Sequence, residues 1–336
     1  MTTSSEPHLA VLGAGSWGTA LAVLLCRNGH RVRLWGHDPE QMVQLRRDGE
    51  NRQYLPGIRL PRGLHPVDSL AEALEDAGEL LVVVPSHAFA EVLQGLPRPL
   101  PEDLGVAWAT KGFEPDSGRL LHEVATEVLG GRDLAVISGP SFAREVAQGL
   151  PTAVTVASPS LEHARRVAGY LHGERFRAYT SDDIIGVEVG GAAKNVLAIA
   201  TGIADGLGFG ANTRAALITR GLAELIRFGT ALGGKQETFM GLAGLGDLVL
   251  TCTDDQSRNR RMGLALARGL SVDGARAEIG QEVEGVITAA SVYRVAQQLE
   301  VEMPISEQVY GVLYEGLTPE QATRLLLERS SKAEFE

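Results

Sequence analysis

Cysteine is scarce in this chain: two in 336 residues, Cys26 and Cys252, far apart in sequence. A disulfide framework is not expected as the organising device, and a reducing compartment is expected. Also missing is a basic stretch followed by an apolar core at the amino terminus; Met1 to His8 is short and polar, so no secretory signal is expected. No apolar run is read as long enough for a membrane helix, and no integral membrane segment is expected. Positive charge is in deficit, with a formal net charge of -11. That argues against nonspecific nucleic-acid binding, which depends on neutralising phosphates, but leaves room for a local cluster of cations in a pocket. There is no compact His/Cys ligand set, so no metal is expected, and there is no internal repeat.

What is present fits a globular protein: 44% hydrophobic and 22% charged residues over a length that supports two domains. The first half alternates apolar runs with helical stretches. Leu9–Leu12, Arg31–Trp35, Leu80–Val84, Val106–Thr110 and Leu134–Ser138 read as strands, with Thr152–Ala157 and Phe176–Tyr179 extending the set. Continuous apolar strands separated by helices predict a parallel sheet covered on both faces. Near Asp182 the texture changes to Ala, Leu, Gly and Glu in long periodic stretches, predicting helices over 184–203, 213–228, 260–268, 286–299 and 306–314. The expected organisation is an α/β domain over 1–181 and an all-α domain over 182–336. The charged tail from Leu327 to Glu336 is expected to fray.

Gly13-Ala14-Gly15-Ser16-Trp17-Gly18 follows the first strand and opens the first helix. In a dinucleotide fold Gly13 permits the tight turn, Gly15 lets a pyrophosphate approach the backbone, and Gly18 lets helix and strand pack closely. Exposed amides and the positive helix end would hold the phosphates. An acid about 20 residues further on would bind the ribose hydroxyls of NAD, but Gly36 stands where that acid is expected, followed by His37 and Asp38. His37 either faces a 2'-phosphate or is a solvated turn residue, so use of both NAD and NADP is the expectation. Trp17 either covers the cofactor or packs in the core.

Ligands of such sheets bind beyond the carboxyl ends of the strands. Three loops qualify: Pro85-Ser86-His87, Thr110-Lys111-Gly112, and Gly139-Pro140-Ser141-Phe142-Ala143. Lys111 is either an anion contact or a solvated lysine; Ser141 sits on a rigid loop able to offer donors. In the helical half, Lys194 and Asn195 interrupt an apolar stretch, and Gly186 and Gly190 precede Lys194 at one-turn spacing. Glycines there let another backbone or a ligand approach closely, and an inward lysine must find a partner or shift its pKa; the alternative is a lysine snorkelling from a packed helix. Asp247, framed by Gly241, Gly244 and Gly246, either orients Lys194, bonds a substrate hydroxyl, or caps a helix. Ser257-Arg258-Asn259 combines a rigid guanidinium fork with two neutral donors, suited to an anion, or is a basic turn before a helix. Glu284 reaches a cofactor hydroxyl or is a first-turn acid. A cationic acid/base with a second cationic cluster points to reduction of a small anionic ketone. A hydroxy-acid dehydrogenase and a nicotinamide-binding regulatory protein are the competing classes.

Taken together, the glycine fingerprint, Ala109–Gly112, Ser138–Ala143, Ala193–Asn195, Gly244–Leu248 and Ser257–Asn259 resemble the bacterial NAD(P)-dependent glycerol-3-phosphate dehydrogenases over residues 8 to 325. The resemblance implies a Rossmann-like parallel-sheet domain followed by an all-α domain of 6-phosphogluconate-dehydrogenase-like architecture. It implies interconversion of dihydroxyacetone phosphate and sn-glycerol 3-phosphate for glycerophospholipid synthesis, with NAD or NADP, in a cytoplasmic homodimer. Lys194 then matches the acid/base residue. Lys111, Gly139, Ser141, Lys194, Asp247, Ser257, Arg258 and Asn259 match substrate-binding positions. Gly13, Gly15, Ser16, Trp17, Gly18, His37, Tyr54, Lys111, Ala143, Arg258, Glu282 and Glu284 match cofactor-binding positions. Position 282 is often apolar in relatives, so Glu282 is expected to contribute backbone or shape rather than charge.

Overall fold

The computed structural model describes residues 8–330 and Ala333. The amino-terminal reading over Met1–Pro7, and most of the tail beyond Ser330, lie outside the described residues. Eight strands form one sheet: β1 (His8–Leu12), β2 (Val32–Trp35), β3 (Leu64–Val67), β4 (Ala77–Val82), β5 (Gly105–Trp108), β6 (Leu134–Ser138), β7 (Thr152–Ala157) and β8 (Phe176–Ser181). Their order is β3-β2-β1-β4-β5-β6-β7-β8. Over the first six strands this is the doubly wound dinucleotide-fold order, with the switch point between β1 and β4. β1, β5 and β6 are buried at every position, as strands covered on both faces must be.

Seven strands had been expected from the sequence in an all-parallel sheet. The structure adds β3 and makes one pairing antiparallel, that of β6 with β7. The cause lies in the connection. Between Ser138 and Thr152 the only helix is Ala143–Gln148, six residues, or about 9 Å. It cannot carry the chain back along a strand of about 17 Å, so β7 enters from the same end at which β6 leaves.

Two compact units are present. One comprises residues up to Glu114 together with Arg119–Glu188; the other comprises Pro115–Gly118 and Val189 onward. The first has a core of Leu21 and Leu25 from the Ser16–Arg27 helix against Val11, Leu34 and Ile137 of the sheet. The second contains helices and no strand among its described residues. The 23-residue helix Ile184–Gly206 starts in the first unit and continues through the second. It is long and apolar enough to cross a membrane, which corrects the sequence reading that no run reaches that length. Yet 94% of its most apolar window is buried within the protein, and it carries Glu188 and Lys194, both partnered inside. Its composition serves close helix packing: a Cβ on Gly202 would strike the carbonyl of Arg260, and one on Gly263 that of Ile199, so two helices cross backbone to backbone.

Candidate active site

The glycine fingerprint occupies the β1-to-helix turn. Gly13 has φ +120°, and a Cβ there would collide with the Val83 carbonyl. A Cβ on Gly18 would strike the Gly13 carbonyl, whereas nothing lies within 4 Å of the corresponding point on Gly15. Two of the three glycines are therefore required by packing, and the middle one faces open space. No side chain caps the amino end of the Ser16–Arg27 helix, so its first-turn amides are placed to receive an anion. These residues fit a dinucleotide pyrophosphate. Trp17 packs half-buried against the core, and its indole Nε1 is buried with no hydrogen-bond partner among the described residues.

Sequence reasoning missed what holds this turn. The Ala14 carbonyl accepts from Gln41 Nε2 at 2.8 Å and Asn51 Nδ2 at 2.9 Å, and Asn51 also donates to Thr19 Oγ1. Tyr54 N donates back to Asn51 Oδ1 at 3.3 Å. Spacing carries no signal for such contacts. Gly36 is crowded: a Cβ there would lie 2.6 Å from Met42 Sδ and 3.0 Å from Ala14 Cβ, so a larger residue such as the usual ribose-binding acid would require the Met42 side chain to shift. Asp38 caps the next helix, accepting from Glu40 N at 2.9 Å, and His37 is exposed beside it.

The loops after β5 and β6 meet. Lys111 Nζ donates to the Gly139 carbonyl at 3.2 Å, and Ser141 Oγ donates to the same oxygen at 2.8 Å. Gly139 has φ +144° and lies against Val154, where a Cβ would sit 3.0 Å from the Val154 Cα. Thr110 Oγ1 ties the β5 loop to Val84 of the β4 loop at 2.8 Å. Ala143 begins the short helix that follows. Lys111, Gly139 and Ser141 thus form one cluster, as their positions at strand ends predict.

In the helical unit Lys194 is buried and ion-paired to Asp247, and its Nζ also donates to Thr251 Oγ1 at 2.9 Å. The snorkelling alternative is excluded, and Asp247 stands one residue inside the helix whose N-cap is Gly246. Local structure makes the pair. Gly190, one turn before Lys194, leaves room for the Ala243 carbonyl, which a Cβ would approach to 2.5 Å. A five-residue π-turn, Leu242–Gly246, closed by Gly246 N to Gly241 O at 3.0 Å, then presents Asp247 at the start of the Asp247–Thr253 helix. Thr251, one turn on, donates to the Asp247 carbonyl at 2.6 Å. Its only sequence signal was i,i+4 spacing from Asp247. Cys252 beside it is inert, since burial pushes its thiol up to about 12.

The second cluster divides by role. Ser257 is a helix N-cap, its Oγ accepting from Arg260 N at 3.2 Å. Asn259 Nδ2 donates to Asn195 Oδ1 at 2.8 Å, and its Oδ1 accepts from Gly285 N at 2.9 Å. It ties together the helices that carry Lys194, Arg258 and Glu284. Arg260 is committed to Asp205 and Asp255. Arg258, in contrast, is half-buried and forms no hydrogen bond or ion pair among the described residues. Burial lowers its pKa, opposed by the fields of Glu284 and Glu282. Glu284 heads the Glu284–Gln298 helix, half-buried, and Glu282 is exposed. The guanidinium of this half-buried arginine has the fork geometry to bind an anion.

The amino-terminal model of the NAD-dependent glycerol-3-phosphate dehydrogenases matches residues 8–164, and the carboxy-terminal model matches residues 183–324. A glycerol-3-phosphate dehydrogenase (NAD(P)+) from Thioalkalivibrio sulfidiphilus is 60% identical over 333 residues, 98% of this chain and 100% of that one. One from Stenotrophomonas maltophilia is 57% identical over 100% of this chain and 98% of its own. Among solved structures, glycerol-3-phosphate dehydrogenase from Coxiella burnetii superposes with a TM-score of 0.94 at 50% identity, covering 96% of this chain and 99% of that one. With models matching both halves and relatives more than half identical along nearly its whole length, the chain belongs to the NAD-dependent glycerol-3-phosphate dehydrogenase family.

Proposed function

We propose that this chain interconverts dihydroxyacetone phosphate and sn-glycerol 3-phosphate with NAD(H) or NADP(H), supplying glycerol phosphate for glycerophospholipids. The observation that carries the reading is the buried Lys194–Asp247–Thr251 group in a chain of this family. Residues 1–181 take the cofactor and 182–336, of 6-phosphogluconate-dehydrogenase-like architecture, take the substrate and the chemistry. The working form is a cytoplasmic homodimer.

Reduced nicotinamide, when bound, supplies the hydride. The protein supplies the rest. Asp247 and Thr251 hold the Lys194 Nζ in one orientation, from which the ammonium polarises the ketone oxygen and gives it a proton as alkoxide character develops. In the reverse direction the neutral amine takes the alcohol proton. Arg258 pairs with the phosphate; Ser257 contributes its hydroxyl hydrogen, and Asn259 keeps the helices of Lys194 and Arg258 in register. Lys111, Gly139 and Ser141 contact the substrate from the strand-end loops. Gly13, Gly15, Ser16 and Gly18 receive the pyrophosphate; Trp17, His37, Tyr54, Ala143, Glu282 and Glu284 complete the cofactor contacts. Lys194 provides the positive charge at the carbonyl, so the reaction calls for no metal.

The test is a rate panel of dihydroxyacetone phosphate against several keto acids, each with NADH and NADPH, followed at the nicotinamide absorbance. Turnover confined to the phosphorylated ketone is expected. A keto acid reduced faster would give the site to a hydroxy-acid dehydrogenase, and cofactor binding without turnover of any substrate would leave a regulatory binder.

A further inference from the structure

The helix Arg258–Ala267 carries three arginines in its first four positions, Arg258, Arg260 and Arg261. They differ in their company. Arg260 is buried and held by Asp205 and Asp255. Arg258 and Arg261 stand three residues apart, on one face of the helix. Both are half-buried, and neither forms a side-chain hydrogen bond or ion pair among the described residues. Acids are not scarce, since the chain has 42 of them against 31 lysines and arginines.

The two charges act on each other. Burial lowers the Arg258 pKa, Glu284 opposes this, and the positive field of Arg261 adds to the lowering. Like charges at this spacing repel and cost stability, and partial burial deepens the cost. The Arg261 Nε is sealed from solvent without a partner, while its terminal nitrogens are neither sealed nor bonded among the described residues. The outer end of the guanidinium is therefore where a ligand can reach it. An anion held by both forks removes the repulsion and meets their open donors.

The pairing also selects among anions. One fork satisfies a carboxylate, with its two oxygens and single charge. A phosphate monoester brings three terminal oxygens and a charge of about −1.5 to −2 near neutrality, enough for two forks. We propose that Arg261 is a second phosphate contact beside Arg258, and that the pair makes the site prefer a phosphate monoester to a carboxylate. This rests on the reading of Arg258 as the phosphate contact of a dihydroxyacetone phosphate reductase.

Calorimetry tests this without turnover, by titrating inorganic phosphate or acetate into the full-length protein saturated with NADH. Arg261→Gln should weaken phosphate about 5- to 50-fold and acetate by about twofold at most. It should raise the KM for dihydroxyacetone phosphate over the same range, by more than it lowers kcat. Arg261→Lys keeps the charge but loses the fork, and should recover part of the loss. Arg268→Gln takes the same charge from the exposed far end of the helix and should leave phosphate binding within about twofold. Circular dichroism and thermal melting check that each variant folds. Phosphate binding within twofold of wild type in folded Arg261→Gln overturns the proposal, as do equal losses for phosphate and acetate. A loss of NADH affinity with phosphate binding unchanged also overturns it, giving Arg261 to the cofactor. The two readings fail separately. Dihydroxyacetone phosphate turned over with phosphate binding indifferent to Arg261 sinks the arginine pair alone. Phosphate binding that depends on Arg261, in a protein that turns over no phosphorylated ketone, sinks the substrate reading and leaves the pair.

Discussion

Removing the charge of Lys194 while keeping its length, as Lys194→Met, tests catalysis and packing together. The ammonium is buried, and its partners Asp247 and Thr251 are buried with it. Without it Asp247 is a buried carboxylate whose counter-ion is gone. Breaking one side of a buried pair costs about 3–5 kcal/mol, while replacing both sides by apolar groups is often neutral. Lys194→Met and Asp247→Leu should therefore each destabilise by about 3–5 kcal/mol, and the double variant by less than either alone. Simple addition would give about 6–10 kcal/mol, comparable to the whole stability of many domains. Urea unfolding of the four proteins measures the coupling. In the same set kcat for dihydroxyacetone phosphate should fall by at least about 10²- to 10⁴-fold in Lys194→Met, the usual share of a general acid. NADH affinity, read from tryptophan fluorescence, should stay within about twofold, because the glycine turn belongs to the other compact unit. Additive destabilisation would show that the two charges do not support each other. Turnover within tenfold of wild type in a folded Lys194→Met would remove the lysine from the chemistry.

Three other outcomes follow from the geometry. Arg258→Ala should raise the KM for dihydroxyacetone phosphate about 10- to 100-fold with little loss of stability, since Arg258 has no described partner; equal losses on an unphosphorylated ketone would refute the phosphate contact. Gly18→Ala should destabilise by about 1–3 kcal/mol, while Gly15→Ala, facing open space, should fold within about 0.5 kcal/mol of wild type and bind NADH more weakly; the reverse order in melting and cofactor titration would reject the assigned glycine roles. Glu224, buried at the start of the Pro304–Tyr314 helix and bonded by Ile305 N at 2.6 Å and Ser306 N at 3.2 Å, is raised by burial from 4.5 to about 7. The folded chain thus holds a proton that the unfolded chain releases, so this group's stabilisation is complete below pH 4.5 and is lost as pH rises through 7. The loss amounts to no more than about 3 kcal/mol. Glu224→Gln should flatten that part of the melting profile between pH 5 and 8, and an unchanged slope would remove Glu224 as its source.

The strands clearest in the sequence are those with a continuous apolar run, such as Leu9–Leu12 in β1, Leu80–Val82 in β4 and Leu134–Ile137 in β6, where the run is itself the signal. β3 is hidden because Leu64-His65-Pro66-Val67 is short and holds a proline, which an edge strand tolerates and a central one does not. The helices Val272–Ile279 and Pro319–Leu327 escape for a related reason: they bury only two residues and one, respectively, too few for an apolar period. The direction of β7 depends on a six-residue helix being too short to return the chain, a length that periodicity does not report. At the site, residue types were legible and partnerships were not. Lys194 stood out as a charge in an apolar helix. Its ion pair joins positions 53 apart, and Asn51 reaches Ala14 across 37. Such contacts are set by how elements pack, which spacing within one element does not encode.

Packing and chemistry meet in the glycines around Lys194. Each glycine inside a helix costs about 1 kcal/mol relative to alanine, so Gly190 must repay that in contacts. It does so by admitting the Ala243 carbonyl. Gly190 precedes Lys194 by four residues, and Ala243 precedes Asp247 by four, so the same two faces that touch at the glycine meet again one turn later as the ion pair. The π-turn between Ala243 and Asp247 inserts the extra residue that brings the carboxylate round to Nζ, a device found often at functional sites. Gly244 belongs to the same arrangement, since any side chain there would strike the Phe239 backbone. The run Gly241-Leu242-Ala243-Gly244-Leu245-Gly246-Asp247 therefore reads as one mechanical unit. Its small residues set how closely two backbones approach, and that approach sets where the lysine amine is held.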